Sequence, residues 1–217
     1  MPKSITRYRR VVDIFGGESD RDFKHAVARL SVLYEDLRIE INGLIAEELN
    51  ALDETSPHLR EIYFLRRSFG TLVEFGDALR DLDSTVEFQR IKTLAEPELR
   101  RLWEDSISFF RANERSLKDV RDNVGGHFGH GASKLALRNL GSEDVGSIEM
   151  EDQGSTGKVR LGFARTLAVA ALVYSVKGNE EPDQKVSRLF DLALLAKQHA
   201  VGAVNFVIAS YLVKKFS

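Results

Sequence analysis

A heptad pattern of apolar residues over 23–44 is the strongest constraint that this sequence places on the fold. The apolar positions alternate in steps of four and three residues, and they are Phe23, Val27, Leu30, Tyr34, Leu37, Ile41 and Leu44. Such a stripe lies along one side of a helix and packs lengthwise against a neighbouring helix. Ser19 or Asp20 is a suitable N-cap for it. The pattern therefore predicts a long helix that starts near residue 20 and belongs to a bundle.

A second long helix is predicted to start at Ser56 and Pro57. Proline is favoured at the first helical position, where its missing N–H would have no partner in any case. The apolar face of this helix consists of Leu59, Ile62, Leu65, Phe69, Leu72, Phe75, Leu79 and Leu82. The link Asp53–Ser56 is short, so the first two helices are expected to form an antiparallel hairpin.

The remaining apolar periodicity predicts helices over 86–93, 97–123, 132–140, 161–177 and 183–216. Between the third and fourth of these lies a polar stretch with four glycines, where Gly146–Met150 and Lys158–Gly162 fit a small hairpin. The predicted fold class is therefore all-α: an elongated bundle of four to six helices, with a small β-hairpin insertion near 146–162. We expect one helical domain over 19–217.

Residues 1–18 are predicted to form an N-terminal arm. They carry Lys3, Arg7, Arg9 and Arg10, followed by two glycines. One interpretation is a basic arm that contacts a nucleic acid or a partner. The other is a frayed terminus without a specific role.

Composition excludes several classes of function. The chain of 217 residues has no cysteine, which excludes disulfide frameworks, Cys-zinc sites, iron–sulfur clusters and thiol catalysis. The formal net charge of −2 argues against a general duplex-DNA binder, which is usually basic. No signal peptide is visible, and the apolar stretches Leu161–Val176 and Ala200–Val213 are shorter than the roughly 20 residues of a membrane span. We expect a cytoplasmic protein with no membrane association and two buried core helices at these stretches.

Two familiar motifs fail on inspection. The run Gly154–Lys158 resembles the end of a phosphate-binding P-loop, but Asp152 replaces its first glycine and Val159 replaces the required Ser or Thr. The Glu-x-x-His pairs of di-iron bundles have one near match, Asp22 with His25. We therefore expect no metal and no cofactor.

The segment Ser116–His130 concentrates ionisable groups around a predicted helix break at Gly125 and Gly126. Glycine allows a sharp turn and lets a ligand approach the backbone closely. An arginine such as Arg121 clamps a phosphate with paired hydrogen bonds, and a histidine such as His127 moves protons near neutral pH. These residue types suit metal-independent phosphodiester chemistry.

The same residues also have a structural interpretation. Arg121 would then neutralise the negative end of its helix or pair with Asp119, and His127 would cap a helix end. A metal site at His127 and His130, three residues apart, is a further alternative, but the sequence indicates no additional ligands for it.

The stretch Arg121-Asp122-Asn123-Val124-Gly125-Gly126-His127 resembles the signature of the HEPN superfamily. That signature is an Arg, usually a polar residue next to it, and a His a few residues later; here Asp122 is the polar residue and five residues separate Arg121 from His127. The resemblance covers this motif and the general helix pattern. It implies a helical bundle with the motif at a helix end, and a ribonuclease that dimerises so that both protomers line one cleft.

The resemblance also implies roles for single residues. His127 would activate a ribose 2′-OH or protonate the leaving oxygen, and Arg121 would hold the scissile phosphate. Asp122 would orient either side chain or contact RNA, and no metal would be required. Asn123 and His130 are expected to be supporting residues; His130 is an additional histidine outside the family pattern, and it would act as a second proton carrier or RNA contact.

The biological role that the resemblance implies is that of a toxin or phage-defence component with an antitoxin partner. Some HEPN toxins carry a modifiable tyrosine two residues after the histidine, where this chain has Gly129. Two alternatives of other classes stay open: a non-catalytic helical dimerisation or interaction protein, and a nucleotide-binding bundle that uses the glycine turn as an anion site.

Overall fold

Four long helices, each of 25 to 28 residues, dominate the computed structural model of this chain: α1 (Arg21–Ile45), α2 (Pro57–Asp83), α4 (Pro97–Val124) and α7 (Pro182–Val207). Three shorter helices are α3 (Val86–Leu94), α5 (His130–Asn139) and α6 (Phe163–Ser175), and a π-helical turn, Ile208–Leu212, follows α7. The structure describes residues 21–45, 57–124, 130–143, 145, 148–150, 159–161 and 163–212. The all-α helical class is confirmed.

The described residues contain seven α-helices, one for each helical stretch predicted from the periodicity, although the bundle was expected to have four to six. Thr85 caps α3 by accepting a hydrogen bond from the Phe88 N–H at 3.4 Å. Two residues separate the end of α3 from Pro97, the first residue of α4. Two three-residue strands, β1 (Ile148–Met150) and β2 (Val159–Leu161), pair antiparallel with Glu149 opposite Arg160. The N-terminal arm predicted for residues 1–18 lies outside the described residues.

The predicted apolar faces are the buried faces. On α1, six of the seven heptad positions are buried, and Tyr34 is half-buried. On α2, the predicted positions from Ile62 to Leu82 are all buried. Burial of these two stripes supplies the apolar contacts that hold helices together in water.

The chain divides into two compact units. Among the described residues, the first unit takes 21–36, 74–112 and 196–212, and the second takes 37–45, 57–73 and the described residues of 113–195. Helices α1, α2, α4 and α7 each contribute residues to both units. A single domain over 19–217 stays a prediction.

The first unit has an aromatic centre made of Phe88, Trp103 and Phe206. The ring centroids of Phe88 and Trp103 are 4.4 Å apart, and those of Phe88 and Phe206 are 5.5 Å apart. Asp83 accepts hydrogen bonds from Trp103 Nε1 at 2.8 Å and from Lys92 Nζ at 2.7 Å. The indole N–H therefore keeps a charge-assisted partner where the ring enters the core.

The second unit joins parts of α1 and α2 to the end of α4, to α5 and α6, and to the start of α7. Glu40 of α1 lies 3.7 Å from Arg67 of α2, and Gly43 lies against the ring of Phe64. Along α1 the contact residue advances from Glu40 to Gly43, while along α2 it goes back from Arg67 to Phe64. The two helices therefore run antiparallel here. Helix α5 packs against α6.

Among the described residues, one helical stretch, Pro182–Leu212, is long and apolar enough to cross a membrane by length and composition. It has 31 residues and a mean hydropathy of 1.4 over its most apolar window. Core helices of water-soluble proteins pass the same test, and Ala193, Ala200 and Phe206 on this stretch have no exposed surface. The absence of a membrane span therefore stays a prediction.

His199 links stability of the first unit to pH. Its ring stacks on Phe109 with centroids 4.3 Å apart and planes 14° apart. Burial lowers the pKa of His199, and the nearby Asp105 opposes this shift. The pKa of His199 is therefore lower in the folded state than the value of roughly 6.5 in the unfolded state. Neutral His199 contributes fully to the free energy of unfolding above pH 6.5, and this contribution is lost as the pH falls and the ring becomes protonated.

We expect the free energy of unfolding of the wild type to fall more steeply from pH 6.5 to 5 than that of His199→Gln. Urea unfolding at several pH values measures both slopes. His25→Gln is the matched control, because the His25 side chain is exposed on α1. Equal slopes for wild type and His199→Gln would contradict the assignment.

Gly178 provides a second test, since its φ is +137° and an added Cβ would meet the carboxylate of Glu180. We expect Gly178→Ala to lower the free energy of unfolding by about 2 kcal/mol, because L-residues rarely adopt this conformation. Gly70→Ala is the matched control: its Cβ would meet nothing within 4 Å inside α2. It should stabilise the protein by about 0.5–1 kcal/mol. Thermal melting of both variants gives the comparison.

Candidate functional site

The last turn of α4 carries the arginine of the predicted motif. Arg121 donates to a single carboxylate oxygen, Asp122 Oδ1, from Nε at 2.7 Å and from Nη2 at 2.6 Å. The Arg121 side chain is 35% exposed, whereas Asp122 is 61% exposed. Among the described residues, Nη1 of Arg121 has no partner. Asp122 thus orients one edge of the guanidinium.

Asn123 folds back onto its own helix. Its Nδ2 donates to the carbonyl oxygen of Asp119 at 2.6 Å, and its side chain is exposed. Such a bond competes with the backbone N–H of Asn123 for the same carbonyl, which weakens the helix there. The amide oxygen and the second Nδ2 hydrogen of Asn123 are left for a ligand.

The end of α4 is held by a residue that the sequence analysis missed. Arg66 of α2 donates from Nε to the carbonyl oxygen of Val124, the last residue of α4, at 2.9 Å. The final carbonyls of a helix lack internal partners and carry partial negative charge, so a guanidinium there is favourable. Burial lowers the pKa of Arg66, with Tyr63 acting in the opposite direction. An arginine nevertheless stays charged in proteins.

The sequence gives a weak indication that Arg66 contacts a neighbouring element. It lies beside Leu65 and one turn from Ile62 and Phe69, so it borders the apolar face of α2. A charged residue at such a border often reaches across to a polar group on a neighbouring element. The pattern does not say which element that is.

The remaining motif residues follow α4. Gly125, Gly126 and the predicted catalytic His127 lie outside the described residues. His130 is the first residue of α5, two residues earlier than the helix start expected at 132, and its side chain is exposed. Its carbonyl oxygen accepts a hydrogen bond from Ser133 Oγ at 3.1 Å.

The structure therefore brings Arg121 and Asp122 into direct contact and places Arg66 at the end of the same helix. Within the described part of the chain, no group of three or more His, Cys, Asp or Glu residues is arranged to hold a metal ion. Comparison with protein families, with curated proteins and with solved structures finds no match for this chain.

We expect Arg66→Met to loosen the end of α4, because it leaves the carbonyl of the buried Val124 without its donor. The expected cost is about 1–2 kcal/mol of local stability. Amide hydrogen exchange at Val120–Val124 measures it. Arg67→Met is the matched control, since Arg67 lies next in sequence but pairs with Glu40 of α1. Exchange that accelerates equally in both variants would contradict the role of Arg66.

Proposed function

We propose that this protein is a metal-independent endoribonuclease of the HEPN kind, acting as a homodimer on RNA in a toxin or phage-defence role. The observation that supports this most directly is the end of α4. There Asp122 orients Arg121, whose Nη1 has no partner among the described residues, six positions before His127 in the chain.

The proposed reaction is transfer of the phosphodiester to the neighbouring ribose oxygen. The 2′-oxygen attacks phosphorus and loses its proton to a base, while the P–O5′ bond breaks and O5′ gains a proton from an acid. His127 fits either proton transfer, because imidazole titrates near neutral pH. The products are a 2′,3′-cyclic phosphate and a 5′-hydroxyl, so no metal-bound nucleophile is needed.

Arg121 supplies the charge that this reaction needs. Negative charge grows on the non-bridging phosphate oxygens in the transition state, and a positioned guanidinium stabilises it. The partner subunit would contribute the second Arg and His of the cleft, as the resemblance implies. A cleft that joins the Arg and His of two protomers would be locally positive, even though the formal net charge of the chain is −2.

Non-catalytic helical dimerisation is the second candidate function. It is favoured by large apolar side chains in the second unit that stay exposed: Ile39 at 61%, Ile45 at 54% and Tyr63 at 56%. Exposed apolar surface of this kind marks contact sites when it is contiguous. In that case the Arg121–Asp122 pair serves only to end α4.

We expect purified wild-type protein to cleave single-stranded RNA in the presence of EDTA. Arg121→Ala and His127→Ala should each reduce the rate by about 10²–10⁴, the usual effect of losing a proton-transfer or charge-stabilising group. Gel analysis of end-labelled RNA measures the rate and identifies the cyclic phosphate.

Two variants serve as controls for that experiment. Arg101→Ala removes an 82% exposed arginine earlier on α4, and His25→Ala removes an exposed histidine on α1. Both should cleave like the wild type. If all five proteins cleave equally, the activity comes from a contaminant, and if none cleaves, dimerisation without catalysis is the better function.

A further inference from the structure

An open groove, the α3 groove, lies within the first unit between α3, the start of α4 and the π-helical turn. Its volume is about 570 Å³, and its apolar lining includes Ile91, Leu94, Leu99, Ala209 and Tyr211. Leu94 is 77% exposed, and the other four residues are half-buried. Contiguous apolar surface that stays open to water marks a place where another segment or partner packs.

The charged side chains of the α3 groove favour a basic occupant. Arg90 donates to both carboxylate oxygens of Glu87, at 2.7 Å and 3.0 Å, so these two charges compensate each other. Glu96 is exposed at the rim, and its carboxylate has no ion-pair partner among the described residues. Arg100, one turn after Glu96, donates instead to three carbonyl oxygens at the end of α3. The carboxylate of Glu96 is therefore the charge that the groove offers to an occupant.

Ser210 of the π-helical turn adds an independent indication. It lines the α3 groove, is only 8% exposed, and its buried Oγ has no hydrogen-bond partner among the described residues. A serine within an α-helix commonly donates to a carbonyl one turn earlier, as Ser31 does to Val27 at 2.8 Å. A buried hydroxyl without a partner is unfavourable. An occupant with backbone N–H and C=O groups is therefore favoured over a purely apolar one.

The start of α1 lies beside the same groove. The ring of Phe23 packs edge-on against that of Tyr211, with centroids 4.8 Å apart. The residues that precede α1 lie outside the described part of the chain. From Arg21 back to Phe15 there are six residues, which span at most about 20 Å when extended. The sequence before α1 is thus tethered close enough to reach the groove.

That tethered sequence has the composition that the α3 groove favours. In the N-terminal arm, basic residues are followed directly by apolar ones, and these residues are Arg7, Arg9, Arg10, Val11, Val12, Ile14 and Phe15. A tether makes the contact intramolecular and gives an effective concentration in the millimolar range, so a modest apolar contact is sufficient.

We propose that the N-terminal arm packs into the α3 groove of its own chain. The apolar residues Val11–Phe15 lie against Leu94 and Leu99, and Arg9 and Arg10 lie toward Glu96. The arm is then a strap over the first unit, and it must leave the groove before its basic residues can contact another molecule. Packing of the arm needs no catalysis, so the proposal stands independently of the proposed ribonuclease activity.

Limited digestion of the full chain with trypsin, followed by mass spectrometry, measures release of the arm at Arg7, Arg9 and Arg10. Proteases cut the fraction of molecules in which a segment has left its packed position. We expect Leu94→Gln to be cut there about tenfold faster than the wild type, because it removes the exposed leucine that the arm covers. Leu94 is exposed, so its replacement should not unfold the protein.

Two matched controls assign the effect to the groove. Val86→Gln changes an apolar residue on the same helix that is 87% exposed and outside the groove, and it should be cut like the wild type. Glu96→Lys should be cut several-fold faster, because it reverses the charge that faces the arm. Glu98→Lys makes the same change in the first turn of α4, outside the groove, and should have no effect.

A spin label provides a second measurement. The chain has no cysteine, so Asp13→Cys creates a single site for a nitroxide. We expect the label to broaden the amide NMR signals of Leu99 and Ala209, and we expect Leu94→Gln to restore them. Val86→Gln in the labelled protein should leave the broadening unchanged.

Three results would overturn the proposal. The first is an arm that trypsin removes from the wild type as fast as from Leu94→Gln. The second is broadening that Leu94→Gln does not reduce. The third is protection from trypsin that increases with protein concentration, since the groove would then hold the arm of a second copy.

Discussion

Where a helix ends inside a packed unit, its last carbonyl groups need donors from elsewhere in the chain. Helix α4 meets this need at its last residue, where Arg66 reaches across from α2 to the Val124 carbonyl. The Asn123 side chain turns back to the Asp119 carbonyl one turn earlier. The Arg66 bond therefore anchors the end of α4, and with it the turn that carries Arg121.

One helix thus presents two kinds of chemistry on different sides. Arg115 and Asp119 are four residues apart and lie on a common face, which borders a cavity of about 470 Å³ that is also lined by the end of α6 and by α7. Arg121 lies off that face and pairs with its neighbour Asp122. The first surface carries two charges of opposite sign one turn apart, whereas the second carries a guanidinium that the neighbouring carboxylate orients.

Apolar periodicity was sufficient to predict most of the helices. The stripe from Phe23 to Leu44 and the face from Ile62 to Leu82 are buried as the spacing indicates, because a helix in water must bury its apolar side. Arg66 was not predictable in the same way. Its partner lies 58 residues away, and periodicity does not encode which helix end a bordering arginine reaches. The cavity depends likewise on residues distant in sequence, such as Arg115 and Lys177, and only the packing of α4 against later elements brings them together.

The path of the chain through the two units has a practical consequence for dissecting the protein. The first unit is made of three separated stretches of sequence and the second of two, and each change of unit falls inside a helix. No single cut in the backbone can release either unit whole, and a truncation at a boundary between the units divides a helix whose remainder belongs to the other unit. Point substitutions, rather than shortened versions of the chain, are therefore the way to assign properties to one unit.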